Sequence, residues 1–199
     1  MSVRPLLPEP HRAALLGAMQ TAVPRCYGQV ATIAGAGDAA APRVRTITLH
    51  HVEELDAIAF STSTCSAKWA ELRARPRLAG VFFDLQRFVQ YRWEGGVELA
   101  EASSPEYGEL LRRMWRRVSP GVRWFTWDDY CRNVLRGAVD FDVDESCPIE
   151  GLVVCRPEKW DVLEFDVEDY GRSRRTVITW TGAAWQGVAA PLQRALEPF

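Results

Sequence analysis

Apolar residues first recur at helical spacing over residues 9–23, where Ala14, Leu15, Ala18, Met19 and Ala22 share one face. The spacing predicts a helix there, closed by Pro24. From Tyr27 the pattern changes from helix to strands. Segments 29–34, 44–50, 57–63, 78–84 and 88–94 are short, rich in β-branched and aromatic residues, and read as strands. Residues 96–102 read as a sixth, joined to its predecessor by a Gly95-Gly96 turn. A helix over 66–75 lies between the third and fourth strands, capped by Ser66 and stopped by Pro76. A second apolar stripe (Tyr107, Leu110, Leu111, Met114, Trp115, Val118) predicts a helix over 105–118 with proline in its first turn, and 127–136 predicts another. Strands return over 151–156, 160–166, 175–181 and 184–188, the last two joined at Thr181-Gly182.

Strands outnumber helices, and hairpins rather than helical crossovers join several of them. This pattern predicts a mainly β protein with flanking helices, an antiparallel barrel or sandwich rather than a doubly wound sheet. No internal repeat, low-complexity tract or long linker divides the chain. Residues 35–40, Gly-Ala-Gly-Asp-Ala-Ala, spell the G-x-G-x-x-A of a dinucleotide site. That motif must open a helix, yet Pro42 and a new strand follow at once, so a hairpin loop is expected instead.

Composition narrows the classes. A net charge of −2 and a pI near 6.0 argue against a nucleic-acid partner. No apolar run is long enough to cross a bilayer, and the prolines and acid near the N-terminus do not suit a signal peptide, so a cytoplasmic protein without a membrane partner is expected. Cys26, Cys65, Cys131, Cys147 and Cys155 contain no C-x-x-C pair and read as reduced thiols; His11, His50 and His51 do not make a zinc site with them, and no metal is expected. The eight tryptophans suit a packed core or aromatic-lined pockets. Of the 24 basic residues only Lys68 and Lys159 are lysine.

Lys68 stands in informative company. In the strand before it, Arg45 and Ile47 share one face while Thr46 and Thr48 share the other. Then Ser61, Thr62, Ser63, Thr64 and Ser66 run straight into a helix with Lys68 in its first turn. Hydroxyls, free backbone N–H groups, the helix dipole and an ammonium together suit a phosphate, although Ser66 as a simple N-cap in a solvated loop explains the same residues.

Arg45-x-Ile47-x-Leu49, Ser61-Thr62-x-x-x-Ser66-x-Lys68, Arg75-Pro76-Arg77-Leu78-Ala79-x-Val81-Phe82-Phe83 and Gln90 occur in an order and spacing that resemble the pyridoxamine 5′-phosphate oxidase family. Val162 to Phe165, the arginine-rich turn ending at Arg175, Trp185 and Pro191 extend the resemblance toward the C-terminus, and it is nearest to the small FMN-binding branch of unassigned substrate. The resemblance implies a six-stranded antiparallel split β-barrel that binds FMN without a covalent bond at a homodimer interface. By position, Arg45 and Lys68 hold the FMN phosphate with Ser66, Ser61 and Thr62. Backbone around Thr46, Ile47 and Thr48 meets the flavin edge, and Gln90 and Arg175 bond the ring, Arg175 from the other subunit. One domain over 1–199 follows: an N-terminal helix in 1–26, barrel core and phosphate loop in 27–102, a helical segment in 103–147, and C-terminal strands and hairpin in 148–199.

The departures bear on activity. Ala67 stands where the oxidase has an arginine, His50 where it has a lysine, and Asp166 where a tryptophan packs on the flavin. The substrate-binding R-x-H pair falls on Gly171 and Ser173, and the substrate-phosphate tyrosine and arginine fall near Leu111 and Trp115, leaving Ser119. The resemblance therefore implies a flavin-dependent oxidoreductase of another substrate, with no pyridoxamine-phosphate oxidase activity. A flavin or haem binding module without turnover is the alternative, and a scaffold whose site has decayed is a third. His50 and His51, adjacent on a strand, are expected to point to opposite faces, so that at most one borders a pocket. Trp115, Ser119 and Arg123 are expected to be structural rather than pocket-lining, and Arg112, Arg113, Arg116 and Arg117 to form a solvated helix face.

Overall fold

The computed structural model describes residues 4–22, 25–101, 103–105, 107–137 and 139–192. Helix α1 (His11–Thr21) buries Leu15, Ala18 and Met19, and the expected stop at Val23 and Pro24 lies outside the described residues. Strands β1 (Tyr27–Ala34) and β2 (Ala41–Thr48) form the hairpin expected of the glycine-rich loop. Its tip is one 3-10 turn, Gly37–Ala39, with Gly35 and Gly37 at positive φ. Strand β3 (His50–Val52) follows after Leu49 alone, then β4 (Ala57–Ser63), helix α2 (Ala67–Ala74), β5 (Arg77–Asp84) and β6 (Val89–Glu101). Helices α3 (Gly108–Arg117) and α4 (Pro120–Tyr130), with a π-turn over Cys131–Leu135, precede β7 (Glu150–Glu164), β8 (Arg174–Trp180) and β9 (Trp185–Ala190).

All pairings are antiparallel, in the order β2-β1-β5-β6-β7-β4-β3, with β8 added to β7 and β9 to β8. Nine strands, rather than six, form this sheet among the described residues, and its hydrogen-bonded path does not close. Two causes account for the difference. The segment expected as one strand over 44–50 is interrupted at Leu49, and the C-terminal hairpin adds two strands to the same sheet.

Two further corrections share one origin. The pairs 88–94/96–102 and 151–156/160–166, expected as four strands, are the two continuous strands β6 and β7. Gly95-Gly96 is not a turn. Its register against β7 steps from Glu94↔Lys159 to Gly95↔Pro157, so Glu158 is the extra residue of a bulge. A Cβ on Gly95 would lie 2.3 Å from the Arg156 carbonyl oxygen, so the close approach there requires glycine. Pro157, which lacks an N–H, sits where the ladder is already broken. Helix α3 starts at Gly108 rather than at Pro105, and the helix expected over 127–136 starts instead at Pro120, the favoured first-turn position.

The main core gathers Val30, Phe60, Trp69, Tyr91, Trp93, Val153 and Trp160 between the sheet, α1 and α2. A second cluster packs Leu111 and Met114 of α3 on Ala57, Ala59, Leu152 and Val154. Strand β7 is thus covered on both faces, which explains why its start reads as an unbroken apolar run rather than an alternation. The N-terminal segment is tied across the molecule. The Trp160 indole donates to the Leu6 carbonyl at 2.9 Å, and the Leu6 amide donates to Asp56 at 3.0 Å. Asp56 also takes a bidentate contact from Arg12 (2.7 and 2.9 Å) and lies 2.9 Å from His51 Nε2. Burial raises its pKa, but these partners outweigh burial and hold it down at about 2. No helix among the described residues is long and apolar enough to cross a membrane.

Candidate functional site

Strand β4 delivers the hydroxyl-rich loop to the start of α2. Ser66 caps that helix, its Oγ accepting from the Trp69 amide at 3.2 Å and lying 3.3 Å from the Thr62 hydroxyl. Ser63 Oγ accepts from the Cys65 amide, and the Thr64 amide donates to the Ile149 carbonyl at 2.7 Å. Trp69 is buried against Gly151, where a Cβ would come within 2.5 Å of the ring. The bare backbone of Gly151 therefore lets α2 seat on β7, which fixes Lys68 one position before the anchored indole.

Arg45 reaches α2 from β2. Its Nη2 donates to both oxygens of Glu71 at 2.9 Å, and its Nη1 donates to the Thr32 hydroxyl at 2.6 Å, while Thr32 donates to Glu71. Burial opposes the charge on Glu71, but the Thr32 and Arg45 contacts keep its carboxyl below the ordinary range. Both terminal nitrogens of Arg45 are engaged, so this residue pins α2 to the β1–β2 hairpin as well as supplying charge.

Lys68 has no such partner: among the described residues no carboxylate lies within 4 Å of its Nζ, which sits 5.2 Å from the Phe60 ring centroid. Burial, then repulsion from Arg45, lowers its pKa to about 8; Glu150 and Glu71 pull the other way. Glu150, at the start of β7 opposite Ser63, is 3% exposed and its Oε1 has no hydrogen-bond partner. Burial pushes its pKa up to about 7, against the opposing pull of the Ser61 hydroxyl and Lys68. Arg45, Ser61, Thr62, Ser66 and Lys68 thus come together around α2, joined by two carboxylates that the sequence did not single out. Glu71 could have been found three residues after Lys68 on the same helix. Glu150 announces itself as a charge set between Ile149 and the apolar run from Gly151 to Cys155.

The other expected contacts fall elsewhere. Ile47 points into the core, whereas Thr46 and Thr48 are on the outer face of β2. Gln90 pairs with Leu163, which pairs with Arg175, so Gln90 and Arg175 share an outer row two strands apart, about 10 Å. Arg175 grips Asp161 through Nε (3.0 Å) and Nη2 (2.8 Å), and Asp161 also takes Arg92. Two strands, β1 and β5, lie between β2 and β6 in the sheet order, so within one chain this row is not joined to the α2 cluster.

A separate cleft of about 440 Å³ opens between α1, β3 and α3, bordered by both His50 and His51 together with Arg113 and Arg117. The expectation that only one histidine would border a pocket fails because β3 is a three-residue edge strand and the cleft reaches around it. Burial, reinforced by Arg117 and Arg25, drops His50 to a pKa of about 4, so it is neutral at pH 7 and does not replace a lysine's charge. Asp166 builds a loop: its carboxylate accepts from the Glu168 and Asp169 amides, and its own amide donates to Ser173. Trp115 and Arg123 both bond the Val143 carbonyl, a structural task as expected. Of the four arginines on α3, Arg112 pairs with Glu109 and Arg113 with Glu54. Lys159 pairs with its cross-strand neighbour Glu94 at 2.8 Å.

Solved structures, a pyridoxamine 5′-phosphate oxidase-related protein among them, share this fold. A pyridoxamine 5′-phosphate oxidase-related, FMN-binding protein of Nostoc punctiforme superposes over 94% of this chain and 100% of its own, at 20% identity and a TM-score of 0.73. PhzG of Burkholderia lata, solved with tetrahydrophenazine-1-carboxylic acid, covers 96% of this chain and 99% of its own at 15% identity and a TM-score of 0.62. A conserved hypothetical protein of Mycobacterium tuberculosis covers 82% and 90% at 18% identity and a TM-score of 0.50. No family profile and no curated protein matches the sequence. The likeness seen in the sequence motifs is met in three dimensions, as a shared fold.

Proposed function

We propose that this chain binds FMN, with the phosphate held at the start of α2, and that it works as a flavin-dependent oxidoreductase on a substrate other than pyridoxamine phosphate. The observation that carries the proposal is Lys68. A half-buried ammonium with no carboxylate within 4 Å, beside an N-capped helix start and the Ser61, Thr62 and Ser66 hydroxyls, is a cation waiting for an anion. Arg45 adds charge while holding α2 in place. Bound FMN would supply hydride or electron transfer, so the chain itself need only bind, orient and shield the ring.

The barrel reading belongs with this proposal. Strands β2 and β3 stand at the two ends of the sheet path and are separated by Leu49 alone. Taken as one bent strand, they make β2/β3, β1, β5, β6, β7 and β4 a six-stranded split barrel within one domain. The distance of Gln90 and Arg175 from the α2 cluster favours a homodimer, in which one protomer offers the phosphate cradle and the partner offers the ring contacts. The apolar outer-face residues Val44, Tyr27 and Val188, each largely exposed, suit such a contact.

The test is spectroscopic. Purified chain mixed with FMN and passed through a desalting column should keep a flavin absorbance band shifted from that of free FMN, and light scattering should give a dimer mass. A colourless eluate would overturn the flavin assignment, and an intense haem band in the purified protein would favour a haem module.

A further inference from the structure

We propose that Glu150 is a proton-linked ligand of the anion cradle: its carboxyl group takes up one proton as a phosphate ester enters and donates it in a hydrogen bond to a phosphate oxygen. The proposal deepens the flavin assignment and rests on it. The geometry starts from a carboxyl group that is 3% exposed, has an Oε1 with no partner, and sits opposite Ser63, beside the hydroxyl loop that the Thr64–Ile149 hydrogen bond ties to the start of β7; Ser61 and the charge of Lys68 act on it. An unpartnered oxygen at that depth costs free energy unless a ligand or a proton answers it.

Charge counting then decides its state. Arg45 and Glu71 neutralise each other in a bidentate pair. If Glu150 is ionised it offsets Lys68, and the whole cradle is neutral, a poor place for a phosphate that is mostly dianionic at pH 7. With a proton on Glu150 the cradle carries one net positive charge, and Oε1 or its twin becomes a donor aimed at the anion instead of a second repelling oxygen. The groups facing Glu150 are few. They are Ser61 and Ser63, which share its face on β4, Cys147 from the preceding turn, and Lys68 of α2, whose charge reaches it; Glu101 of β6 lies opposite Gly151 and so on the other face. Burial already holds the group at a pKa of about 7, so the proton comes from solvent near neutral pH, and no other bond is made or broken.

The experiment is a fluorescence titration of the full chain and of Glu150→Gln with FMN between about pH 6.5 and 8, above the second phosphate ionisation near 6. Riboflavin serves as a control without phosphate. From the pKa values of about 7 for Glu150 and 8 for Lys68, FMN affinity of the wild type should fall more than about tenfold across this range. Glu150→Gln should show only the roughly twofold loss that Lys68 contributes, and it should bind FMN more tightly than wild type at the upper end. Calorimetry in two buffers of different ionisation enthalpy should count close to one proton fewer taken up by the variant. Glu150→Ala, which removes the donor as well as the charge, should share the flat profile but bind more weakly than Glu150→Gln. Identical pH profiles for wild type and Glu150→Gln would overturn the proposal while leaving the flavin site standing. Failure of every form to bind FMN at any pH would overturn the flavin assignment and this proposal together.

Discussion

Replacing Lys68 with alanine is expected to weaken FMN binding by about 10- to 100-fold, because a charge-assisted hydrogen bond contributes roughly 1.5–3 kcal/mol. The loss should be specific to the phosphate: riboflavin affinity should be unchanged within about twofold, since the ring makes its contacts elsewhere. The variant should fold normally. Lys68 forms no ion pair within 4 Å among the described residues, and Trp69 and Ser66, not Lys68, anchor α2. Lys68→Arg should recover part of the affinity, because charge is kept but the compact ammonium is not. A fluorescence titration checks all three; equal FMN affinity for wild type and Lys68→Ala would remove the phosphate from this site.

Trp160→Ala should destabilise the fold by about 3–5 kcal/mol. The side chain is fully buried, its ring lies 5.6 Å from that of Trp93, and its indole bonds the Leu6 carbonyl at 2.9 Å. Removing it opens a cavity in the main core, releases the N-terminal segment and leaves a buried carbonyl unsatisfied. Urea unfolding followed by far-ultraviolet circular dichroism measures the change, and a loss below about 1 kcal/mol would mean that the core around β7 can collapse to fill the space.

Much of this fold can be read along the chain, and the failures have physical causes. Strand β4 was legible to the residue as a short apolar run bounded by Asp56, which holds positive φ, and by the hydroxyl loop. The helix over α2 was legible because its cap and stop, Ser66 and Pro76, are local chemistry. The β6 and β7 boundaries were not, since Gly95 and Pro157 look like turn punctuation until the two strands lie side by side and the bulge explains both. The site divides in the same way. Arg45, Ser61, Thr62, Ser66 and Lys68 are near in sequence to elements that pack together, so their grouping could be anticipated. Glu150 is 82 positions from Lys68 and reaches it only through the β4–β7 pairing, which no local pattern encodes. Engagement of Arg45 by Glu71 likewise depends on how α2 docks over Thr32. Lys159, the other surviving lysine, answers an ordinary cross-strand glutamate, whereas Lys68 has no carboxylate within 4 Å among the described residues.

The central claim is that the cluster at α2 recognises the phosphate of a flavin. Its most direct measurement is a pair of equilibrium titrations of the wild-type chain, one with FMN and one with riboflavin, at a pH near 6.5. The account predicts that FMN binds about 100-fold more tightly than riboflavin, as a phosphate held by a lysine and several hydroxyls requires. Equal affinities for the two flavins would contradict it.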